Sequence, residues 1–204
     1  VLDRAQALGF LGPGPVTDHI DRSLAFVEAW SQVRGRTAPT TLLDLGSGGG
    51  VPGLVLALVW RHCAVTLLDG SDRRVAFLQE VVTALGLASR VGAVAERAEV
   101  AGHGPLRFGF DLVVARGFAA PAVTAECGGA FLRPGGSILA VAEPPGGDSR
   151  RWPPASLAQL GLGLGPLITE QATVQVIEPV DDFPDRYPRR VGVPTKRPLW
   201  VALP

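Results

Sequence analysis

Apolar residues recur along this chain in two rhythms. Short, mainly apolar runs occur at residues 41–46, 64–69, 90–95, 110–115 and 137–142. Runs of that length bounded by turn residues predict strands buried on both faces. Between them the period changes to three or four. Val75, Leu78, Val81, Val82 and Leu85 form one stripe, which predicts a helix over 72–85 stopped by Gly86. Further helices are expected at 52–61, with Pro52 in its first turn, and at 121–132, opened by Pro121. Ahead of the first strand, Thr17 or Asp18 can cap a helix to Arg34 with Ile20, Leu24, Val27 and Trp30 on its buried face. Residues 1–16 carry Gly9, Gly12, Pro13, Gly14 and Pro15 and cannot be one helix. Strands alternating with helices predict an α/β fold, a doubly wound and mostly parallel sheet with helices on both faces. After Glu143 the pattern changes to a Pro- and Gly-rich loop, a short helix at 155–162, and two late strands at 169–178 and 199–203. The late strands are expected to pair antiparallel and close the sheet. The whole chain, 1–204, reads as one domain, with a helical extension over 1–38 and the core over 39–204.

Composition narrows the class. The chain has 204 residues, 47% of them apolar, which rules out a disordered protein. It shows no apolar run long enough to span a bilayer and no signal-peptide order at its start, so a cytoplasmic protein away from membranes is expected. Cys63 and Cys127 lie far apart and read as buried reduced thiols. His19, His62 and His103 form no ligand pattern, so no metal site is expected. Formal net charge is zero, and Lys196 is the one lysine beside eighteen arginines. A protein that grips RNA usually carries net positive charge, so the balance argues against strong RNA binding.

The candidate chemistry gathers at the carboxyl ends of the predicted strands, where ligands bind such sheets. The first strand ends in Asp44-Leu45-Gly46-Ser47-Gly48-Gly49-Gly50, an Asp-x-Gly-x-Gly-x-Gly spacing followed at once by a helix. Glycines allow a tight turn and close approach to a ligand, and a helix N-terminus offers unpaired N–H groups to an anion. The second strand ends in Asp69, placed to accept hydrogen bonds from ribose hydroxyls or to cap the next helix. Glu96 to Glu99, Arg116 and Glu143 fall at the same edge. Together the glycine turn and the acid predict a ribonucleoside cofactor.

These residues resemble a known family. Leu43-Asp44-Leu45-Gly46-Ser47-Gly48-Gly49-Gly50-Val51-Pro52-Gly53 is similar to the signature of the glucose-inhibited division protein B family, the small-subunit ribosomal RNA guanine-N7 methyltransferases. The resemblance continues in Arg73-Arg74-Val75-Ala76-Phe77-Leu78, in Arg97-Ala98-Glu99, in Ala115-Arg116, and in the basic stretch from Tyr187-Pro188-Arg189-Arg190 to Lys196-Arg197-Pro198-Leu199. It implies a seven-stranded class I methyltransferase sheet with S-adenosyl-L-methionine as cofactor. It also implies roles: Asp44, Gly46, Ser47, Gly48 and Gly50 at the cofactor's methionine end, Asp69 and Gly70 at the ribose, Ala98 and Glu99 beside the adenine. Arg116 would be the catalytic residue, facing the methionine carboxylate or the substrate. Arg189, Arg190, Lys196 and Arg197 would touch RNA, in small-subunit ribosomal RNA or the 30S particle, with the enzyme a monomer.

The chemistry agrees in one respect. Guanine N7 carries a lone pair and no proton, so attack on a sulfonium methyl needs alignment and no general base. Methylation of an exocyclic amine usually uses an Asn/Asp-Pro-Pro-aromatic motif after the fourth strand, where this chain has Arg116-Gly117-Phe118-Ala119. Three departures from the family open other readings: little chain precedes His19, Arg22 replaces an Asp, and Glu143-Pro144 replaces Lys-Gly. An anion at Glu143 would repel a phosphate-bearing substrate. A paralogue with another acceptor and a degenerate cofactor-binding protein therefore stand beside the ribosomal RNA enzyme. Arg116 could instead pair with Asp69 or Glu143, and residues 186–197 could be a solvated loop.

Overall fold

A computed structural model describes residues 1–201. In chain order its elements are α1 (Leu2–Ala7), α2 (Val16–Arg34), β1 (Thr41–Leu45), α3 (Gly53–Val59), β2 (Ala64–Asp69), α4 (Asp72–Ala84), β3 (Val91–Ala95), α5 (Ala98–Ala101), β4 (Leu112–Ala115), α6 (Pro121–Gly129), β5 (Ile138–Ala142), α7 (Pro154–Ala158), β6 (Leu162–Ile168), β7 (Val174–Pro179) and α8 (Val193–Lys196). The strands form one seven-stranded sheet in the order β3-β2-β1-β4-β5-β7-β6. The first five pair parallel, and β7 runs antiparallel to both β5 and β6. Chain order reverses between β1 and β4, which puts the switch point, and hence the ligand crevice, at the ends of those two strands.

Side-chain alternation in β1 builds both faces of the core. Leu42 points into one cluster with Phe26, Ala29 and Trp30 of α2, Leu54 and Leu56 of α3, and Phe77 and Leu78 of α4. Leu43 and Leu45 point into the other, with Ala122 and Ala125 of α6 and with Trp152, Tyr187 and Trp200. Every residue of α6 is buried, because the C-terminal segment covers the side that the sheet leaves open.

Several elements differ from the sequence expectation. The buried face of α2 is His19, Ser23, Phe26, Ala29 and Trp30, while Ile20 is exposed. Polar and small residues make up most of that stripe, so apolar spacing alone finds Trp30 but misplaces Ile20. The expected helix at 155–162 stops at Ala158, and residues 162–168 form β6. Gly161, Gly163 and Gly165 hide that strand from propensity, since glycine adds no side chain to the pattern. The closing antiparallel pair is therefore β6 with β7. Of the strand expected at 199–203, Leu199, Trp200 and Val201 are not in a strand, and residues 202–204 lie outside the described residues.

One close approach fixes α3 against β1. A Cβ built on Gly53 would lie 2.5 Å from Asp44 Oδ2, 2.5 Å from Leu67 Cδ2 and 2.8 Å from Asp44 Cβ. Gly53→Ala is therefore expected to lower stability by about 2 kcal/mol through overpacking. Gly92→Ala, where a Cβ meets nothing within 4 Å, should change it by less than about 0.5 kcal/mol. Urea unfolding of the two variants beside the wild type checks the contrast.

Candidate active site

The glycine turn is held from below by Asp44. Its carboxylate is buried under the turn, and Oδ2 accepts the Gly53 N–H at 2.9 Å. Oδ1 has no hydrogen-bond partner among the described residues. Burial pushes the Asp44 carboxyl up to about 7, against the Gly53 N–H, which pulls it down. The turn's own amides face inward. Gly46 and Ser47 donate to the Leu68 carbonyl at 2.8 and 3.0 Å, and Gly48 donates to Asp69 Oδ2 at 2.9 Å. At the start of α3 itself, Pro52 has no N–H, Gly53 donates to Asp44 Oδ2 and Leu54 donates to the Gly50 carbonyl at 2.8 Å, so the helix-start amides expected to receive an anion are engaged. Gly50 has φ +94° and packs under Leu54 and Leu78, so its need for glycine is steric and it does not line the cleft.

Asp69 sits at the end of β2, buried, with Oδ1 accepting from Ser71 N at 2.9 Å. Asp69 is not the cap of α4, a place taken by Ser71. Asp69 anchors the turn into α4, and a carboxylate with two bonded N–H groups still has lone pairs for a diol. Arg74 Nη1 stands 3.6 Å away. Around Asp69 lies a cavity of about 300 Å³ lined by Gly46, Gly70, Arg97, Ala98, Glu99 and Phe118. The Phe118 ring reaches over Gly46, where a Cβ would come within 2.6 Å of it. Glu99 is buried at the cavity wall and its Oε1 accepts the Gly192 N–H at 3.0 Å, which ties the C-terminal segment to this end of the cleft.

Past Gly46 the cleft continues as a space of about 280 Å³ between the glycine turn, Arg116 and residues Phe10, Leu11, Gly12 and His19. Arg116 closes its far wall and also borders a third cavity of about 400 Å³, lined by Arg22, Phe118, Val141, Glu143, Arg151 and Trp152 among others. So Arg116 stands between two chambers. Among the described residues no carboxylate lies within ion-pair distance of Arg116, which excludes the structural pairing with Asp69 or Glu143. Burial pulls its guanidinium down from the ordinary value, and the field of Asp44 offsets part of that shift. Its Nη2 donates to His19 Nδ1 at 3.1 Å.

Glu143 is not a free anion. Its side chain is 2% exposed, ion-paired with Arg151, and accepts from Trp152 Nε1 at 2.9 Å. The repulsion expected from it is cancelled by Arg151, which the sequence places in an unremarkable loop. Arg189 also departs from expectation. It grips Glu126, 0% exposed on α6, through Nε at 2.9 Å, Nη2 at 2.7 Å and its backbone N–H at 2.8 Å. That pairing raises its own pKa and removes it from the candidate RNA cations. Arg190, Lys196 and Arg197 are exposed. Sequence reasoning passed over Arg22, Phe118, Arg151 and Thr195 as site residues; they reach the cavities from four separate segments, and no local motif marks them.

A reversed strand order at the switch point, an antiparallel seventh strand and this cleft define a class I methyltransferase fold. A solved structure from Methanococcus maripaludis, described as a candidate S-adenosyl-L-methionine-dependent methyltransferase, aligns at TM-score 0.60 and 17% identity over 81% of this chain and 89% of that one. Residues 15–143 match the GidB family, described as rRNA small subunit methyltransferase G. The ribosomal RNA small subunit methyltransferase G of Roseiflexus castenholzii is 37% identical over 90% of this chain and 79% of its own length. That of Parasynechococcus marenigrum is 37% identical over 77% of this chain, and the match spans 66% of that relative, just under two thirds. The chain belongs to this family of S-adenosylmethionine-dependent rRNA methyltransferases.

Two outcomes follow from the buried charges. The Asp44 carboxyl titrates higher in the folded state than when unfolded, so its ionisation opposes folding. The cost is absent near pH 4, grows through pH 7 and is complete above it. A rise of that size corresponds to about 4 kcal/mol. Asp44→Asn should therefore gain on the wild type in urea unfolding as pH rises from 4 to 8, while losing at least about tenfold in affinity for S-adenosylhomocysteine. Arg189→Ala leaves Glu126 buried with only one N–H donor, and should cost about 3–5 kcal/mol in the same measurement.

Proposed function

We propose that this protein transfers the methyl group of S-adenosylmethionine to guanine N7 of small-subunit ribosomal RNA, in the cytoplasm. The residues present fit the cofactor. The unpartnered Asp44 Oδ1 is a buried acceptor at the methionine end, suited to an ammonium or to water held by it. Asp69 would hold the ribose, Ala98 and Glu99 would border the adenine with Gly70 and Phe118, and Gly46, Ser47 and Gly48 would shape the bend between them. Arg116 would hold the carboxylate. When bound, the cofactor supplies an electrophilic methyl on a sulfonium.

The observation that carries the choice of N7 is the acceptor chamber beside Arg116. Among its described lining residues no carboxylate or imidazole is free to act as a base: Glu143 is held by Arg151 and Trp152, and both nitrogens of His19 are engaged. Such a chamber suits a nucleophile that carries no proton, and its work is orientation and exclusion of water. Arg22, Arg116 and Arg151 offer donors only, which match the O6 acceptor of guanine and the phosphates beside it and leave the N7 lone pair free to attack. Arg190, Lys196 and Arg197 would add phosphate contacts on the outer rim. The paralogue reading rested in part on a repelling Glu143, and its pairing with Arg151 removes that part.

The test is transfer of labelled methyl from S-adenosylmethionine to small ribosomal subunits from a strain lacking the guanine-N7 enzyme. Label recovered as 7-methylguanine is expected. A folded protein that binds the cofactor and leaves the subunits unlabelled would reject this acceptor.

A further inference from the structure

His19 lies outside the glycine turn and the strand ends, on the first turn of α2, yet its side chain borders both the cofactor cleft and the acceptor chamber. It is buried, at 6% exposure. Its Nδ1 lies 3.1 Å from Arg116 Nη2, and its Nε2 lies 3.1 Å from the Gly12 carbonyl oxygen. A guanidinium can only donate and a carbonyl can only accept. Both contacts are hydrogen bonds in one state alone: a neutral imidazole with the proton on Nε2 and the lone pair on Nδ1. A protonated ring would present N–H to a guanidinium, and the other tautomer would present N–H to Arg116 and a lone pair to a carbonyl.

The Gly12 end is itself part of a built segment. Gln6 Nε2 donates to the carbonyls of Gly12 and Gly14 at 3.0 and 2.7 Å. Phe10 packs edge-on against Phe77 of α4 at 5.6 Å, and its carbonyl presses close over Gly48 and Gly49. So residues 10–12 lie across the glycine turn as one wall of the methionine end. The imidazole joins that wall to the side chain dividing the two chambers.

We propose that His19 is a positioning residue for methyl transfer. As the neutral Nε2–H tautomer it accepts from Arg116, which sets the guanidinium between cofactor and acceptor, and donates to Gly12, which holds residues 10–12 over the cofactor. The charged and titratable groups facing this pair are Arg22 on the same helix, Asp44 beneath the turn and Glu143 with Arg151 across the chamber. This role rests on the methyltransferase reading above, and its test separates the two.

The direct readout is the imidazole 15N NMR spectrum of the whole protein at pH 8. His19 should show a lone pair on Nδ1 and a proton on Nε2, and Arg116→Ala should shift the Nδ1 signal. A His19 that is doubly protonated, or protonated on Nδ1, overturns the proposal whether or not the protein methylates ribosomal subunits. The kinetic arm uses three substitutions. His19→Ala should lower kcat on small subunits by on the order of 10–100-fold, the scale of a misplaced catalytic group. His19→Asn, whose Oδ1 can stand in for Nδ1, should recover most of that loss but bind S-adenosylhomocysteine more weakly by calorimetry. His19→Gln, whose amide can stand in for Nε2–H, should keep the affinity and leave kcat low. Equal behaviour of the two amides on both readouts would mean packing alone and would overturn the proposal while leaving the function standing. A wild type with the expected spectrum and no subunit methylation would sink the function instead.

Discussion

The buried carboxylate of Asp44 and the missing side chain of Gly53 act together as the joint on which the site is built. β1 delivers Asp44 to the sheet's switch point, and α3 can start immediately above it only because residue 53 has no Cβ. The single N–H···O bond between them fixes where the helix begins, and so how the glycine turn is folded. That closeness has an electrostatic cost. It strands the second oxygen of the carboxylate without a partner, in a place where ionisation is opposed by burial. Ionising that carboxyl as pH rises through 7 therefore opposes folding.

The C-terminal segment is the second structural determinant of the cleft. Read as a string of cations it suggests a surface for RNA, but half of its polar contacts run inward. Arg189 reaches Glu126 on α6, Gly192 donates to Glu99, and the carbonyls of Tyr187 and Pro188 meet Arg107 and His103. These contacts cover α6 and build a wall of the cavity around Asp69. The exposed remainder, Arg186, Arg190, Lys196 and Arg197, faces outward. The zero net charge of the chain is likewise uninformative about the cleft, because several of its acids are paired: Asp111 with Arg133, Glu126 with Arg189, Glu143 with Arg151. Arg22 and Arg116, in no ion pair among the described residues, meanwhile line the chamber opening. Local charge at a site depends on which side chains find partners.

The sequence by itself determined the five parallel strands and the chemistry carried at their carboxyl ends. Mainly apolar runs made the parallel strands legible, and the glycine turn and Asp69 marked the strand ends, because strand burial and turn geometry are dictated by neighbours in sequence. Where that locality failed, the reading failed: glycines concealed β6, and polar residues on the buried face of α2 hid its true orientation. The tertiary structure alone decided which charges are free. Arg151 neutralises Glu143 from across a loop, Glu126 captures Arg189 from 63 residues away, and His19 meets Arg116 from 97 residues away. Such pairings depend on distances of a few ångströms between segments remote in sequence, and no periodicity or motif within one segment encodes them.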